Sequence, residues 1–296
     1  MADICQILEE YVILDHQFPV FSKNEWVTIL KDNDIFRLCP NRLRISVCNG
    51  IPSSLRGDIW VFLSRSSHLQ ASSKPYQEYV NGCDDCVEKM ILKDIGRTFP
   101  HELLFKSFCG FGQTCMFNIL KAYASYDSDI GYCQGMNFIV GTLLMYLSEE
   151  KAFWTFVSIM FEKNWRELFK EETPKLTKLL HSLKIKLKEK CPEVYNHLKS
   201  EGIEMTVFAK YFLTFFMCEQ EKELGVRVLD SFLCFGENEI LEIINTALLL
   251  ERKKILGLKY EELFMFCAKE LGKRCLDVIK GNIIHVNEID DDYTML

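Results

Sequence analysis

Residues 136–147 read MNFIVGTLLMYL, and two kinds of protein compete for them. A helix that crosses a bilayer needs about 20 predominantly apolar residues, and this run has about 12. A helix buried on all sides inside a globular core fits its length. Working outward, Met116, Ile119, Leu120 and Tyr123 recur at i, i+3, i+4 and i+7, and Leu176, Leu179, Leu180, Leu183 and Leu187 extend the same stripe over further turns. Seven prolines punctuate the 296 residues, with none between Pro100 and Pro174 and none after Pro192, so long stretches are free to be helical. Thr173 is expected to cap a helix that has Pro174 in its first position, and Ser148 to open another, with Glu149 and Glu150 at its positive end. Alternation of the strand kind is confined to NIIHVNEI, residues 282–289. The fold class these patterns predict is all-α.

Composition narrows the class further. Hydrophobic residues at 48% can bury one large core or two small ones. A net charge of −7 gives no global positive field, so nucleic acid is not expected as a partner. Thirteen cysteines, an odd number, sit mostly inside apolar runs such as Phe232-Leu233-Cys234-Phe235 and Phe264-Met265-Phe266-Cys267, which reads as buried thiols in a reducing compartment. No Asn-x-Ser/Thr sequon occurs and the first residues lack the pattern of a signal peptide, so a cytoplasmic location is expected. No repeat and no Gly/Ser-rich or Pro-rich linker divides the chain. The organisation expected is a leading helical segment over 1–44, one domain over 45–280 with Ser64 to Asp85 as an internal loop, and a mobile acidic tail over 281–296.

Several chemistries lose their support. Cys83 and Cys86 form a C-x-x-C without two further zinc ligands at suitable spacing or a neighbouring βαβ unit. Cys109-Gly110-Phe111-Gly112-Gln113-Thr114-Cys115 starts like a dinucleotide fingerprint, yet cysteine fills its third glycine position, so it reads as a turn before a helix. No histidine pair has i, i+4 spacing, no G-x-S-x-G occurs, and no G-x-x-x-x-G-K-[ST] would hold a nucleoside triphosphate. Lys175, Lys178, Lys184, Lys186, Lys188 and Lys190 give one helix a basic surface, read as a solvated face, with acidic lipid or an acidic partner as the alternative.

Two stretches are left unexplained by composition. In ILKDIGRTFP, residues 91–100, Pro100 pushes Phe99 away from helical geometry, so Arg97 stands near a helix end with Asp94 three residues behind it. In Asp129-Ile130-Gly131-Tyr132-Cys133-Gln134-Gly135-Met136-Asn137, Gln134 lies between glycines just ahead of the buried run. Each by itself also reads as a loop carrying a surface polar residue.

Together these stretches resemble the TBC domain, a family of GTPase-activating proteins for Rab GTPases. Arg56-Gly57-Asp58-Ile59-Trp60-Val61-Phe62-Leu63 looks like R-x-x-x-W-x-x-L, Ile91 to Thr98 matches I-x-x-D-x-x-R-T, and Tyr132 to Met136 matches Y-x-Q-G-M, in the family's order. The likeness covers roughly residues 45 to 275, with Tyr211 and Leu229 standing where the family usually has tryptophan. It implies a two-lobed, V-shaped helical domain that acts on a GTP-bound Rab-family GTPase. Arg97 would be an arginine finger and Gln134 a glutamine finger, supplied in trans. It also implies supporting or partner-binding roles for Asp94, Thr98, Tyr132, Gly135, Arg56 and Trp60. Asp94 would orient Arg97, Tyr132 would steady the Gln134 loop, and Arg56 with Trp60 would brace the groove. The chain would be a GTPase activator rather than an enzyme with its own nucleotide site. It would need no metal or cofactor, because GTP and Mg belong to the partner, and it would act in vesicle trafficking after peripheral recruitment to endomembranes. The alternative is a catalytically silent Rab-binding or adaptor module.

Overall fold

Ser22 opens the first helix among the described residues with a reciprocal bond. The Glu25 N–H donates to Ser22 Oγ (3.3 Å) and the Ser22 N–H donates to Glu25 Oε2 (2.8 Å), which satisfies two amides at the start of α1 (Lys23–Ile29). The computed structural model describes residues 20–31, 40–82, 85–218 and 222–282, and no strand occurs among them. Next come α2 (Pro40–Asn49), α3 (Ser53–Ser64), α4 (Ser66–Ser72), α5 (Tyr76–Val80), α6 (Asp85–Ile95), α7 (Phe111–Tyr126), α8 (Met136–Leu144) and α9 (Glu149–Phe161). The chain continues through α10 (Pro174–Lys190), α11 (Pro192–Ser200), α12 (Ala209–Thr214), α13 (Lys222–Phe235), α14 (Glu237–Leu250), α15 (Arg252–Gly257), α16 (Tyr260–Met265) and α17 (Leu271–Asp277).

Helix α7 is the hub of the first set, touching α5, α6, α8 and α9, and its stripe of Met116, Ile119, Leu120 and Tyr123 is buried as its period requires. Eight of the nine residues of α8 are buried, which explains why its sequence is apolar on every face. The second set gathers around α10, whose Leu176, Leu179, Leu180, Leu183 and Leu187 face inward toward neighbours that include α11 and α14. One apolar cluster runs through both sets from Trp60 to Ile279. Tyr211 and Leu229, the two departures from the family pattern, are fully buried in it. A smaller cluster, with Trp26, Ile29, Leu43, Val47 and Ile59, seats α1 and α2 against α3. A boundary between residues 44 and 45 would cut through α2.

Other expectations are corrected. The described residues of Ser64 to Asp85 are not one loop. They hold α4 and α5, because polar residues coat the outer faces while buried Ser66 anchors α4 against Thr155 (3.3 Å) and buried Tyr76 anchors α5, its hydroxyl donating to Glu149 Oε1 (2.7 Å). Thr173 precedes α10 but does not cap it, since its left-handed backbone (φ 45°) leaves its side chain without a cap bond. Ser148 makes no cap bond either. The basic face of α10 is partly neutralised, because Lys186 (2.6 Å) and Lys190 (2.9 Å) both reach Glu242, and Lys175 pairs with Glu237. The thiols are divided: Cys48, Cys115, Cys191, Cys267 and Cys275 are buried and free, whereas Cys86 and Cys109 are exposed. Residues 283–289 of the strand-like stretch lie outside the described residues, as do Cys83 and nearly all of the acidic tail.

A buried ionic knot ties the two sets. Arg56 Nε of α3 lies 3.2 Å from both carboxylate oxygens of Asp230 in α13, and Trp60 Nε1, one helical turn on, donates to Asp230 Oδ1 at 2.7 Å. Asp230 is completely buried. Burial pushes its carboxyl up to about 6, against the opposing pull of Arg56 and the Trp60 N–H. Removing one member of such a group leaves the other charge buried and uncompensated. Asp230→Ala is therefore expected to cost about 3–5 kcal/mol of stability, read from urea denaturation followed by circular dichroism; a loss within about 0.5 kcal/mol would show that the knot is dispensable.

Candidate functional site

Helix α6 ends at Ile95, five residues ahead of Pro100, and Gly96 and Arg97 form the turn that follows. Thr98 fixes this stop, since its Oγ1 donates to the Asp94 carbonyl (2.7 Å), an acceptor at the helix end that also receives the Arg97 N–H (3.2 Å). Phe99 has a left-handed backbone (φ 48°) rather than the extended one usual before proline. Its ring packs between Phe105 and Phe138, with centroids at 6.0 and 5.5 Å, and that packing holds the conformation.

The turn presents Arg97 outward. Its side chain is 59% exposed, while its partner Asp94 is 9% exposed, and Arg97 Nη2 donates to Asp94 Oδ1 at 2.5 Å. Asp94 spends its other oxygen on a second segment, accepting from the Tyr132 hydroxyl at 2.5 Å. Burial first, and then the adjacent Asp94, push the Tyr132 phenol above its ordinary value, so it remains a donor at neutral pH. Two residues further on, Gln134 is exposed, and its carboxamide has no hydrogen bond among the described residues.

Gly135 carries the chain from that exposed residue into α8. Its φ of 110° is open to glycine alone at little cost, and a Cβ there would sit 3.1 Å from the Leu213 carbonyl of α12. The Gly135 N–H donates to Asn137 Oδ1 (3.0 Å), Asn137 Nδ2 donates to Thr98 Oγ1 (2.7 Å), and the Tyr132 hydroxyl lies 3.4 Å from Asn137 Oδ1. Asn137 thus closes a ring of bonds between the Arg97 turn and the Gln134 loop. The sequence reading gave it no role. The available signal was a fully polar amide inside an otherwise apolar run, which when buried has to find partners.

The structure therefore brings together Arg97, Asp94, Thr98, Tyr132, Gly135 and the Gln134 loop. Arg56 and Trp60 lie apart in the knot with Asp230, where Tyr146 packs edge-on to Trp60 (5.0 Å) and under the Arg56 guanidinium (5.1 Å). Among the described residues no cluster of His, Cys, Asp and Glu could hold a metal, and no helix is long and apolar enough to cross a membrane. What the site offers is an exposed cation and an exposed carboxamide on rigidly tied backbones.

A sequence profile described as the Rab-GTPase-TBC domain matches residues 53–256. Ecotropic viral integration site 5 ortholog of Drosophila melanogaster is 35% identical over 86% of this chain and 32% of its own length. Rab GTPase-activating protein tbc-11 of Caenorhabditis elegans is 35% identical over 80% of this chain and 26% of its own. The chain thus spans about a third or less of these relatives. The solved TBC domain of a Chlamydomonas flagellar RabGAP superposes with a TM-score of 0.71 at 20% identity, over 94% of this chain and 92% of that one, a likeness of fold.

Asn137→Ala is expected to leave the Gly135 amide buried and unpaired, at a cost of about 1–3 kcal/mol. Hydrogen exchange at the Gly135 amide should quicken while the amides of α14 are unaffected, and unchanged protection at Gly135 would remove Asn137 from the ring.

Proposed function

The chain belongs to the Rab-GTPase-TBC domain family, and from that membership we propose that it accelerates GTP hydrolysis on a GTP-bound Rab-family GTPase, so regulating vesicle traffic. The observation that carries this reading is the single buried carboxylate of Asp94, shared between Arg97 and Tyr132. It keeps an exposed guanidinium aimed outward and ties it to the loop bearing Gln134. An isolated surface arginine would have no such tether.

The chemistry suits those two side chains. In GTP hydrolysis charge shifts toward the bridging and terminal phosphate oxygens while a water must be aligned for attack. A guanidinium is planar, permanently charged and able to donate to several oxygens at once, whereas an ammonium is a compact point charge. A carboxamide carries both an acceptor for a water proton and donors for a phosphate oxygen, and a carboxylate lacks the donors. In this reading Arg97 neutralises the developing charge and Gln134 positions the water, with the nucleotide and its Mg held by the partner. The absence of a P-loop motif from the sequence is consistent with that division. Arg56 and Trp60 act at a distance, through the knot with Asp230 that keeps the two helix sets together.

Arginine fingers in related GTPases are worth about 10³ to 10⁵ in rate, or about 4–7 kcal/mol of barrier. Arg97→Ala, Arg97→Lys and Gln134→Ala are each expected to lose most of the stimulated hydrolysis without loss of helicity. The measurement is single-turnover phosphate release from a panel of GTP-loaded Rab proteins. Full activity in either alanine variant would remove that residue from the mechanism, and tight binding without faster release by the wild-type chain would identify a silent binding module instead.

A further inference from the structure

Beyond Arg97 the chain runs through residues 99–110 to α7, and this loop combines firm anchoring with an apolar outer surface. Phe105 is buried, and Gln113 of α7 clamps the loop from both ends, donating from Nε2 to the Phe105 carbonyl (2.9 Å) and accepting the Cys109 N–H at Oε1 (3.0 Å). Gly112 allows the loop to lie directly on α7, since a Cβ there would fall 2.2 Å from the Leu104 carbonyl. Glu102 is held as well, by Lys222 of α13 at 2.8 Å. Yet Leu103 and Phe108 are each 87% exposed, and Phe111 at the start of α7 is 79% exposed. A loop fixed in this way cannot fold those side chains inward, so their exposure is a property of the folded state, and apolar surface of this kind marks an interaction site.

The surroundings specify what would cover it. The Phe99 ring, between Phe105 and Phe138, packs this loop against both the Arg97 turn and α8, so the loop is seated beside the site above. Along α6, Lys89, Leu92 and Lys93 recur at i, i+3 and i+4, an exposed stripe that continues through exposed Gly96 of the turn to Arg97. Lys106 is exposed in the loop itself, and among the described residues Lys89, Lys93 and Lys106 form no ion pair. In a chain with net charge −7 this rim is locally cationic. An apolar centre inside a cationic rim complements a partner that presents apolar side chains ringed by acidic ones.

Resting on the GTPase-activating reading, we infer that Leu103, Phe108 and Phe111, with Lys93 and Lys106 at their edge, form the docking surface for the GTPase whose nucleotide Arg97 serves. The apolar residues supply affinity after contact, and the lysines speed encounter with an acidic face. This assigns binding and chemistry to neighbouring but separate groups: the loop determines how tightly the GTPase is held, and Arg97 determines how fast the held GTPase turns over.

The test uses the full chain and a Rab found responsive in the panel, loaded with a non-hydrolysable GTP analogue for binding and with GTP for single-turnover hydrolysis. Leu103→Ser/Phe108→Ser/Phe111→Ser is expected to weaken Kd by about 30-fold or more, with the rate at saturating activator within about twofold of wild type. Lys93→Glu/Lys106→Glu is expected to slow association and reduce its dependence on salt. Arg97→Ala should show the opposite division, a lost rate with Kd nearly kept. The melting temperature of each variant controls for folding, and Phe108→Ala alone supplies a milder version of the first change. Unchanged Kd in the triple variant, with wild-type stimulation present, overturns the docking surface and leaves the activating function standing. Stimulation absent across the whole panel overturns both. Wild-type self-association in sedimentation that the triple variant abolishes would assign the surface to a second copy of this chain and likewise overturn the proposal.

Discussion

One carboxylate organises the site. Asp94 sits at the buried end of α6 and divides its oxygens between an exposed guanidinium on its own segment and a phenol 38 positions along the chain. Its position beneath the surface is what makes the arrangement work. At 9% exposure its bonds compete little with water, so they are geometrically selective in a way that a surface pair is not. Asn137 completes the arrangement from the side of α8, and the two segments are held as one unit although neither is long enough to be rigid alone.

How much of this the sequence revealed depends on which residues are asked. The helices were legible because burial has a period: Met116, Ile119, Leu120 and Tyr123 line up only on a helix, and the leucines of α10 do the same. The helix ends were read less well. Thr173 and Ser148 are good capping residue types, yet neither caps: Thr173 has a left-handed backbone, and Ser148 makes no cap bond although its backbone is extended. The short helices α4 and α5 were hidden inside a polar stretch, since each has one deeply buried residue, Ser66 and Tyr76, and one residue per helix shows no periodicity.

The site divides along similar lines. Arg97, Asp94 and Gln134 stood out because polar residues beside glycine and proline, at the edge of apolar runs, need a reason. Tyr132 and Asp94 belong to different segments, so no local pattern could announce their bond. Asn137 and Gln113 escaped because an amide inside a helix has no fixed meaning until its partners are known. Asp230 escaped for the strongest version of that reason: its partners, Arg56 and Trp60, lie 174 and 170 positions away.

That last separation bears on how the chain can be divided. Arg97 and Gln134 both lie in its first half, which invites the idea of a minimal fragment containing only α3 to α9. Such a fragment would keep Arg56 but not Asp230, so the guanidinium and the Trp60 indole N–H would lose the carboxylate they share, with Ser53 Oγ (3.4 Å) the acceptor left to Arg56 on its own helix, and the apolar face that α13 covers would be bared to water. The reactive stretch is therefore indivisible from residues that take no part in its chemistry. Shuffling of this unit between longer proteins has to move it whole, which sets a lower limit on its size.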